Sequence, residues 1–233
     1  MSVLDSRQRL QELYLPSAED FALVDVPELR FLMVDGEGNP KGERFQQMIR
    51  WLFAVVHPLR VIGRKRMGKD FVEPPLECLW WADDLRDFID GRQDKLKWRL
   101  MIVADADWIN EEMVGQAIRK ASRKLGEAPA GLRLERYAEG TSLQIMHVGP
   151  PGSQAATMTR LHHELLPARH LVPNGHHHEI YLNDHRRVAP AKLKTVLRLP
   201  VRPCPKRMTK RRSAGSKPLA SNHRVRPAGR DDA

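Results

Sequence analysis

Cysteine is scarce in this 233-residue chain, which contains two, Cys78 and Cys204. Two cysteines cannot form the framework of bridges that stabilises small secreted domains, so the sequence favours a reducing compartment. Long apolar runs are also lacking, because the run over residues 52–56 is far shorter than the roughly 20 apolar residues that cross a bilayer. Asp5 and Arg7 stand where a signal peptide has its apolar core. We therefore expect a cytoplasmic protein without membrane contact.

Familiar catalytic motifs are missing as well. The sequence has no Walker nucleotide-binding motif and no Gly-x-Ser-x-Gly nucleophile elbow. Gly36-Glu37-Gly38 follows a predicted strand, but it lacks the third glycine and the correctly spaced acidic residue of a dinucleotide-binding fingerprint. A site must therefore be sought in the arrangement of individual side chains.

The formal net charge of +10 is unevenly distributed along the chain. Residues 203–233 contain nine of the 39 Lys and Arg residues and two of the 29 Asp and Glu residues, so this segment carries +7 of the total. It is rich in Pro, Ser and Gly and poor in side chains that pack, which predicts a disordered basic C-terminal tail. Its basic residues predict at most a weak, non-specific nucleic-acid contact, and a solvated tail without a partner is the simpler interpretation.

Strand-like and helix-like segments alternate over the first 202 residues. The predicted strands cover residues 29–35, 76–81, 98–103, 132–138, 142–148, 180–182 and 193–199. The predicted helices cover residues 45–56, a segment that Asn110 caps and Gly126 closes, and residues 154–166. Pro58 is expected to interrupt or kink the first helix, and Glu139-Gly140-Thr141 is expected to form a hairpin.

The order of these elements repeats. A strand, a Gly-rich turn, a helix and two strands occur over about residues 27–105 and again over about 130–202, with Glu77 and Glu179 near the centre of corresponding strands. The sequence thus predicts an α+β fold in which tandem pseudo-symmetric β-α-β-β modules form one domain over residues 1–202. Paired about a pseudo-two-fold axis, the modules would leave a ligand groove at their junction.

Side-chain alternation along the strands predicts which residues face that groove. If Glu77 and Glu179 are symmetry mates, the face bearing Ile180 and Leu182 meets the helices, and Cys78 and Trp80 belong to the core. The residues then expected to line the groove are Glu77, Trp81, Glu179 and Tyr181. A carboxylate among aromatic rings can act as a general acid or base, or as the counter-charge of a cationic ligand. Exposure on an edge strand, or plain sheet packing of the aromatic residues, is the alternative.

The histidine run before Glu179 raises the question of a metal site. In a strand His176 and His178 lie on one face, and His177 lies on the other with Glu179, so at most two of these side chains converge. His162 and His163 fall on a predicted helix that nothing brings close. We therefore expect no metal site, and we expect Cys78 to be a core residue rather than a nucleophile.

Four segments of the chain resemble the GyrI-like small-molecule-binding family. They are VDVPELRFLMVDGEGNP, DFVEPPLECLWW, LQIMHVGPPG and HHHEIYLNDHRRVAPAKLKTVLRLPV. The occurrence of PPLECLWW before HHEIYLNDHRR is specific, and the resemblance runs from about Leu10 to Val201. It is closest to stand-alone bacterial members, and the family fold of tandem β-α-β-β modules with a groove at their junction agrees with the repeat.

The resemblance also implies a function. Related domains are multidrug sensors of transcription regulators or a gyrase-inhibitory protein, and some stand-alone members hydrolyse the cyclopropane of duocarmycin-type DNA-alkylating compounds. Matched by position, Glu179, Tyr181 and Glu77 are the implied catalytic residues. The implied ligand-binding residues are Trp81, Trp98, Tyr181 and Glu77. No metal and no organic cofactor is implied.

Three functions from different classes remain open at this point. The first is a hydrolase that detoxifies cyclopropanoid xenobiotics, and the second is a non-catalytic module that sequesters flat aromatic or amphipathic drugs. The third is an interaction protein of the gyrase-inhibitory kind, for which the sequence shows no partner-binding surface. No helix-turn-helix precedes the domain, which argues against a self-contained transcription sensor.

Overall fold

The computed structural model describes residues 7–68, 74–84, 86–87 and 92–205. The predicted tail over residues 203–233 lies outside the described residues beyond residue 205, so its disorder stays a prediction. Across the described ranges, no helix has both the length and the apolar character that a membrane span requires.

Strands and helices alternate as the sequence predicts. The strands are β1 (Ala22–Glu37), β2 (Leu76–Trp81), β3 (Lys97–Val103), β4 (Arg133–Val148), β5 (Leu171–Pro173), β6 (His177–Tyr181) and β7 (Lys194–Pro203). The helices are α1 (Arg7–Tyr14), α2 (Glu43–Met67), α3 (Glu111–Leu125) and a helical segment over residues 155–168, here called α4. The middle of α4, Arg160–Leu165, is a π-helical turn.

The sheet closes into a barrel. The strands follow the order β4-β1-β3-β2-β6-β7, and β4 also pairs with β7, so six antiparallel strands form a closed ring. The seventh strand, β5, pairs with the end of β7. The first-half strands β1, β2 and β3 are neighbours, and so are the second-half strands β6 and β7. This architecture is the α+β fold that the repeat predicts, with the two halves joined at β2–β6 and at β1–β4.

Helices cover the outside of the barrel in two places. Helices α2 and α3 pack over β1, β2 and β3 around the large buried side chains of Trp51, Leu52 and Trp98. Helix α4 packs over β4 and β7, where Leu161 and Leu166 are buried. Cys78 and Trp80 of β2 belong to the core beneath α2 and α3, whereas His177, Glu179 and Tyr181 of β6 are half-buried.

The predicted interruption at Pro58 and the predicted hairpin do not occur. Helix α2 continues through Pro58 as far as Met67, because Val55 and Leu59 are fully buried on either side of the proline and offset the roughly 3 kcal/mol that an interior proline costs. The hairpin predicted at Glu139–Thr141 is instead the middle of one 16-residue strand, β4. Gly140 has a φ of +70°, which only glycine adopts readily, and the strand passes through it without turning back.

A close approach of backbone to side chain fixes the join between β1 and β3. Gly36 lies opposite Trp98, and a Cβ atom at Gly36 would stand 2.1 Å from the Trp98 ring. The indole is fully buried, packs edge-on against Phe45 and donates its Nε1–H to the Gly38 carbonyl at 3.3 Å. Gly36 is therefore required because no side chain fits between its backbone and the Trp98 ring.

Replacing this glycine should destabilise the fold. We expect Gly36→Ala to lower the free energy of unfolding by about 3 kcal/mol, because the added methyl group must displace a ring that is held on all sides. Urea denaturation measures the effect. The control is Gly152→Ala, where an added Cβ meets nothing within 4 Å, and a change below about 0.5 kcal/mol is expected. Equal stability of both variants would contradict the packing described.

Candidate functional site

The pairing of β2 with β6 decides which side chains share a face. Cys78 lies directly opposite Glu179, and Trp80 lies directly opposite His177. Residues opposite each other in an antiparallel pair project to the same side of the sheet. Glu179 therefore shares the outer face with Cys78 and Trp80, whereas Glu77 faces the barrel interior.

The expectation that Glu77 and Glu179 share one face is thus wrong, as is the expectation that Ile180 points to the helices. The alignment of the two halves is displaced by one residue from the pairing in the structure. Because side chains alternate with a period of two, a shift of one residue moves a whole strand's side chains to the opposite face. The expected burial of Cys78 and Trp80 in the core is confirmed.

The residues proposed from the sequence fall into three groups. Glu179 and Tyr181 lie together on the outer face of β6. Glu77 and Trp81 lie on the other face of β2, with the interior cluster of the barrel, and Trp81 stacks on the His176 ring with centroids 4.6 Å apart. Trp98 lies in the core beneath α2 and has no exposed surface.

Five side chains on the outer face form what we call the β2–β6 site: Cys78, Trp80, His177, Glu179 and Tyr181. Trp80 stacks on Phe45 of α2, with ring centroids 5.5 Å apart and an interplanar angle of 19°. Its indole Nε1–H donates to the Tyr181 hydroxyl at 3.3 Å. The two aromatic side chains of the site are therefore held rigidly by α2 and by each other.

Glu179 provides the negative charge of this site. Its side chain is 14% exposed, and its Oε1 lies 3.6 Å from Nε2 of His177. Burial and then the charge of Glu179 raise the pKa of Tyr181 well above its ordinary value. Tyr181 thus stays a neutral phenol beside the carboxylate.

The thiol beside this carboxylate is kept protonated. Burial and, next in size, the charge of Glu179 raise the pKa of Cys78 well above its ordinary value. A protonated, fully buried thiol is a poor nucleophile, in line with the role of a core residue.

A histidine of α4 stands near the other end of the site. His162 belongs to the π-helical turn, and its pKa is lowered by burial and then by positive charge on His177 and His163. Single π-helical turns are often found at functional sites. Helix α4 thereby brings His162 close to His177 of β6, a proximity that the sequence does not predict.

The barrel interior holds a second polar cluster. Glu77 accepts a hydrogen bond from the Tyr14 hydroxyl at 3.0 Å, and its Oε2 lies 3.1 Å from Nε2 of His178, although not in line for a good hydrogen bond. Nδ1 of His178 lies 2.9 Å from Glu139, and Arg198 donates to the same Glu139 at 2.9 Å. Both carboxylates therefore face a cationic partner within the barrel.

These ionic contacts raise the pKa of His178 and lower the pKa of Glu139. For His178, burial disfavours the charged form, but the charge and hydrogen bond of Glu139 and the close contact with Glu77 prevail and raise its pKa to about 9. For Glu139, burial again opposes ionisation, and the charges and hydrogen bonds of His178 and Arg198 lower its pKa to about 2. At neutral pH His178 and Glu139 are thus both charged, and each offsets the charge of the other.

The same cluster anchors the N-terminal helix. Arg198 donates to the Leu13 carbonyl and to the Gln144 side chain, and Gln144 donates to the Glu12 carbonyl at 2.6 Å. Leu13 and Tyr14 are buried with the interior apolar residues. Helix α1 therefore closes one end of the barrel through contacts with its last turn.

Nothing in the described part of the chain resembles a metal centre, since no group of three or more His, Cys, Asp and Glu side chains converges there. The histidine run contributes instead to two different places. His178 belongs to the interior cluster and His177 to the β2–β6 site.

Sequence reasoning missed several of these residues. Alternation does place His177 with Glu179, but it predicts only a surface or hydrogen-bonded histidine once a metal role is rejected. Trp80 could have been found only with the correct pairing of β2 and β6. Glu139 and Arg198 carry no signal in the sequence, because Glu139 was taken for a turn residue and Arg198 alternates with apolar residues as a solvent-facing side chain would.

Comparisons with known proteins point in one direction. The model of the GyrI-like small molecule binding domain matches residues 19–202. A crystal structure of an uncharacterized conserved protein from Listeria innocua is 34% identical, with a TM-score of 0.74, and the match covers 84% of this chain and 98% of that one. Two structures described as hydrolases from the same organism are each 33% identical, with TM-scores of 0.70 and 0.71, and cover 84% of this chain and 98% and 97% of theirs. No curated protein matches the chain.

The interior cluster makes stability depend on pH. The contribution of His178 is complete below its unfolded pKa of 6.5 and is lost as the pH rises through about 9, whereas that of Glu139 is complete above 4.5 and is lost as the pH falls through about 2. We expect the free energy of unfolding, measured in urea, to fall by about 3 kcal/mol between pH 6.5 and pH 9.5.

The variant His178→Gln provides the comparison. It should be less stable than the wild type at pH 6, and its stability should change little between pH 6.5 and pH 9.5, because the titrating group is gone. A wild-type profile as flat as that of the variant would show that His178 is not held as a cation.

Proposed function

Because this chain belongs to the GyrI-like small-molecule-binding family, we propose that its β2–β6 site binds flat aromatic molecules and adds water to reactive cyclopropanoid compounds. The observation that carries the proposal is the pair of Glu179 and Tyr181 beside the rigid ring of Trp80 on one face. The description of two similar Listeria innocua proteins as hydrolases supports a hydrolytic reaction. Such an activity would detoxify alkylating natural products.

Glu179 is the general base of the proposed reaction. Its carboxylate is 14% exposed and lies beside His177 and Tyr181, a position from which a carboxylate can take a proton from a bound water. The electrophile needs little activation, because opening the spirocyclopropane makes the attached ring aromatic. Positioning of water against the strained carbon then supplies much of the remaining rate.

Trp80 is the aromatic wall of the site in this proposal. The ring is 7% exposed, stacked on Phe45 and hydrogen-bonded to Tyr181, so the part that a ligand can reach is held in place without loss of side-chain entropy on binding. Trp98 is a weaker candidate because it is sealed beneath Gly36. Trp81 stacks on His176 on the other face of β2 and is therefore a weaker candidate than Trp80.

Glu77 has a different role in this proposal from the catalytic one that the family resemblance implies. Its carboxylate is fully buried and engaged with Tyr14 and His178 in the barrel interior. We assign it to the anchoring of α1 and β6, which leaves one carboxylate, Glu179, for the chemistry.

The proposal is tested by incubating the purified protein with a duocarmycin-type cyclopropane and measuring the ring-opened product by mass spectrometry. We expect Glu179→Gln to lower kcat at least 100-fold with little change in Tm, because the amide keeps the shape of the side chain and removes its basicity. The control is Glu164→Gln, which alters an exposed side chain of α4 and should leave turnover unchanged.

Two outcomes contradict parts of the proposal. Equal turnover by the wild type and Glu179→Gln would remove Glu179 from the mechanism. Absence of product with a saturable quench of tryptophan fluorescence would identify a non-catalytic binding module for aromatic compounds instead of a hydrolase.

A further inference from the structure

The proposed reaction needs a hydrogen-bond donor that the residues assigned so far do not supply. As the three-membered ring opens, negative charge moves to the carbonyl oxygen of the ligand, which becomes a phenol oxygen. The Trp80 indole donates to the Tyr181 hydroxyl at 3.3 Å, and Tyr181 lies buried beside the Glu179 carboxylate. The indole N–H is therefore already engaged before a ligand arrives, and the phenol is buried against the base.

His177 is the remaining polar side chain on this face. It lies opposite Trp80 across the β2–β6 pair and two residues before Glu179, so all three project to the same side. Its side chain is 14% exposed, and Nε2 lies 3.6 Å from Oε1 of Glu179. The His177 ring thus lies next to Glu179 without a close hydrogen bond to it.

The other ring nitrogen of His177 is buried without a hydrogen-bond partner. Buried polar atoms nearly always have partners, because leaving one unsatisfied costs about 1–3 kcal/mol. Of the side-chain atoms on this face of the described β2 and β6 strands, Nδ1 of His177 is the one left in this state. A bound ligand that accepts a hydrogen bond from Nδ1 would supply the missing partner.

We propose that His177 is a second catalytic residue of the β2–β6 site, whose Nδ1–H donates to the ligand oxygen that gains negative charge. The inference rests on the proposed function and specifies which group completes it. It also restricts the ligands to those with a carbonyl or phenol oxygen placed across the ring from the electrophilic carbon.

The proton and electron balance of the step is complete. The water oxygen forms a bond to the cyclopropane methylene carbon while Glu179 takes one proton from that water. The bond between the methylene and the spiro carbon breaks, its electron pair makes the ring aromatic, and the carbonyl oxygen takes the Nδ1 proton of His177. The proton on Glu179 passes to Nε2 of His177, which lies 3.6 Å from Oε1, so the histidine ends neutral and the sum is substrate plus water to hydroxymethyl phenol.

The test compares His177→Phe and His177→Gln with the wild type on the same duocarmycin-type cyclopropane. We expect His177→Phe to lower kcat about 100-fold with KM changed less than about threefold, as for loss of a donor that acts mainly in the transition state. In His177→Gln the amide can donate a hydrogen bond but cannot give up a proton, so about a 10-fold loss is expected. His163→Gln, an exposed change on α4, is the control and should keep wild-type kcat and Tm.

The outcomes separate this inference from the function on which it rests. A folded His177→Phe variant with kcat within threefold of the wild type would overturn the role of His177 while leaving the hydrolase intact. If the wild type yields no product, the proposed function fails, and 1-naphthol binding, followed by tryptophan fluorescence, decides the inference. Weaker binding by His177→Phe than by the wild type would retain His177 as the donor to the ligand oxygen, and equal binding would overturn it.

Discussion

The register between β2 and β6 is the constraint on which the rest of the structure depends. These strands join the two halves of the chain, and placing Cys78 opposite Glu179 sends Glu77 and His178 inward. A shift of one residue would turn His178 outward and bury Glu179, leaving the interior carboxylates without one of their cations. Removing one partner from a buried ionic group costs about 3–5 kcal/mol, so the interior charges select this register over its neighbours.

The interior cluster in turn ties together elements that are distant in sequence. Glu77, Glu139, His178 and Arg198 come from β2, β4, β6 and β7, and Tyr14 comes from α1. Two anionic and two cationic groups leave no uncompensated charge, which is the condition under which buried ions are tolerated. Strand β6 consequently has two unlike faces: the inner one is held by ion pairs, and the outer one is free to carry a reactive carboxylate. Rigidity inside the barrel is therefore what keeps Glu179 and Tyr181 aligned outside it.

Local patterns predicted most elements of this fold, and non-local pairing explains what they could not predict. Strand β2 and the helix capped by Asn110 follow from apolar periodicity and cap chemistry, both properties of a few neighbouring residues. The faces of Glu77 and Glu179 depend on a register that is set by contacts more than 100 residues apart. Glu139 looked like a turn because its neighbour Gly140 is a common turn residue, whereas the structure uses that glycine within a continuous strand. The Glu179 and Tyr181 pair was within reach of sequence reasoning because both residues lie on one short strand.

The charge of Glu179 also decides which nucleophile the proposed site can offer. A spirocyclopropane reacts readily with thiolates, and Cys78 lies directly across from Glu179 on the same face. Burial and the carboxylate together raise the pKa of that thiol, so the sulfur stays protonated beside Glu179. Under the proposed function, the negative charge that would draw a proton from water would also protect the protein from alkylation at its own site. Water would be left as the nucleophile, so the site could release its product and act again.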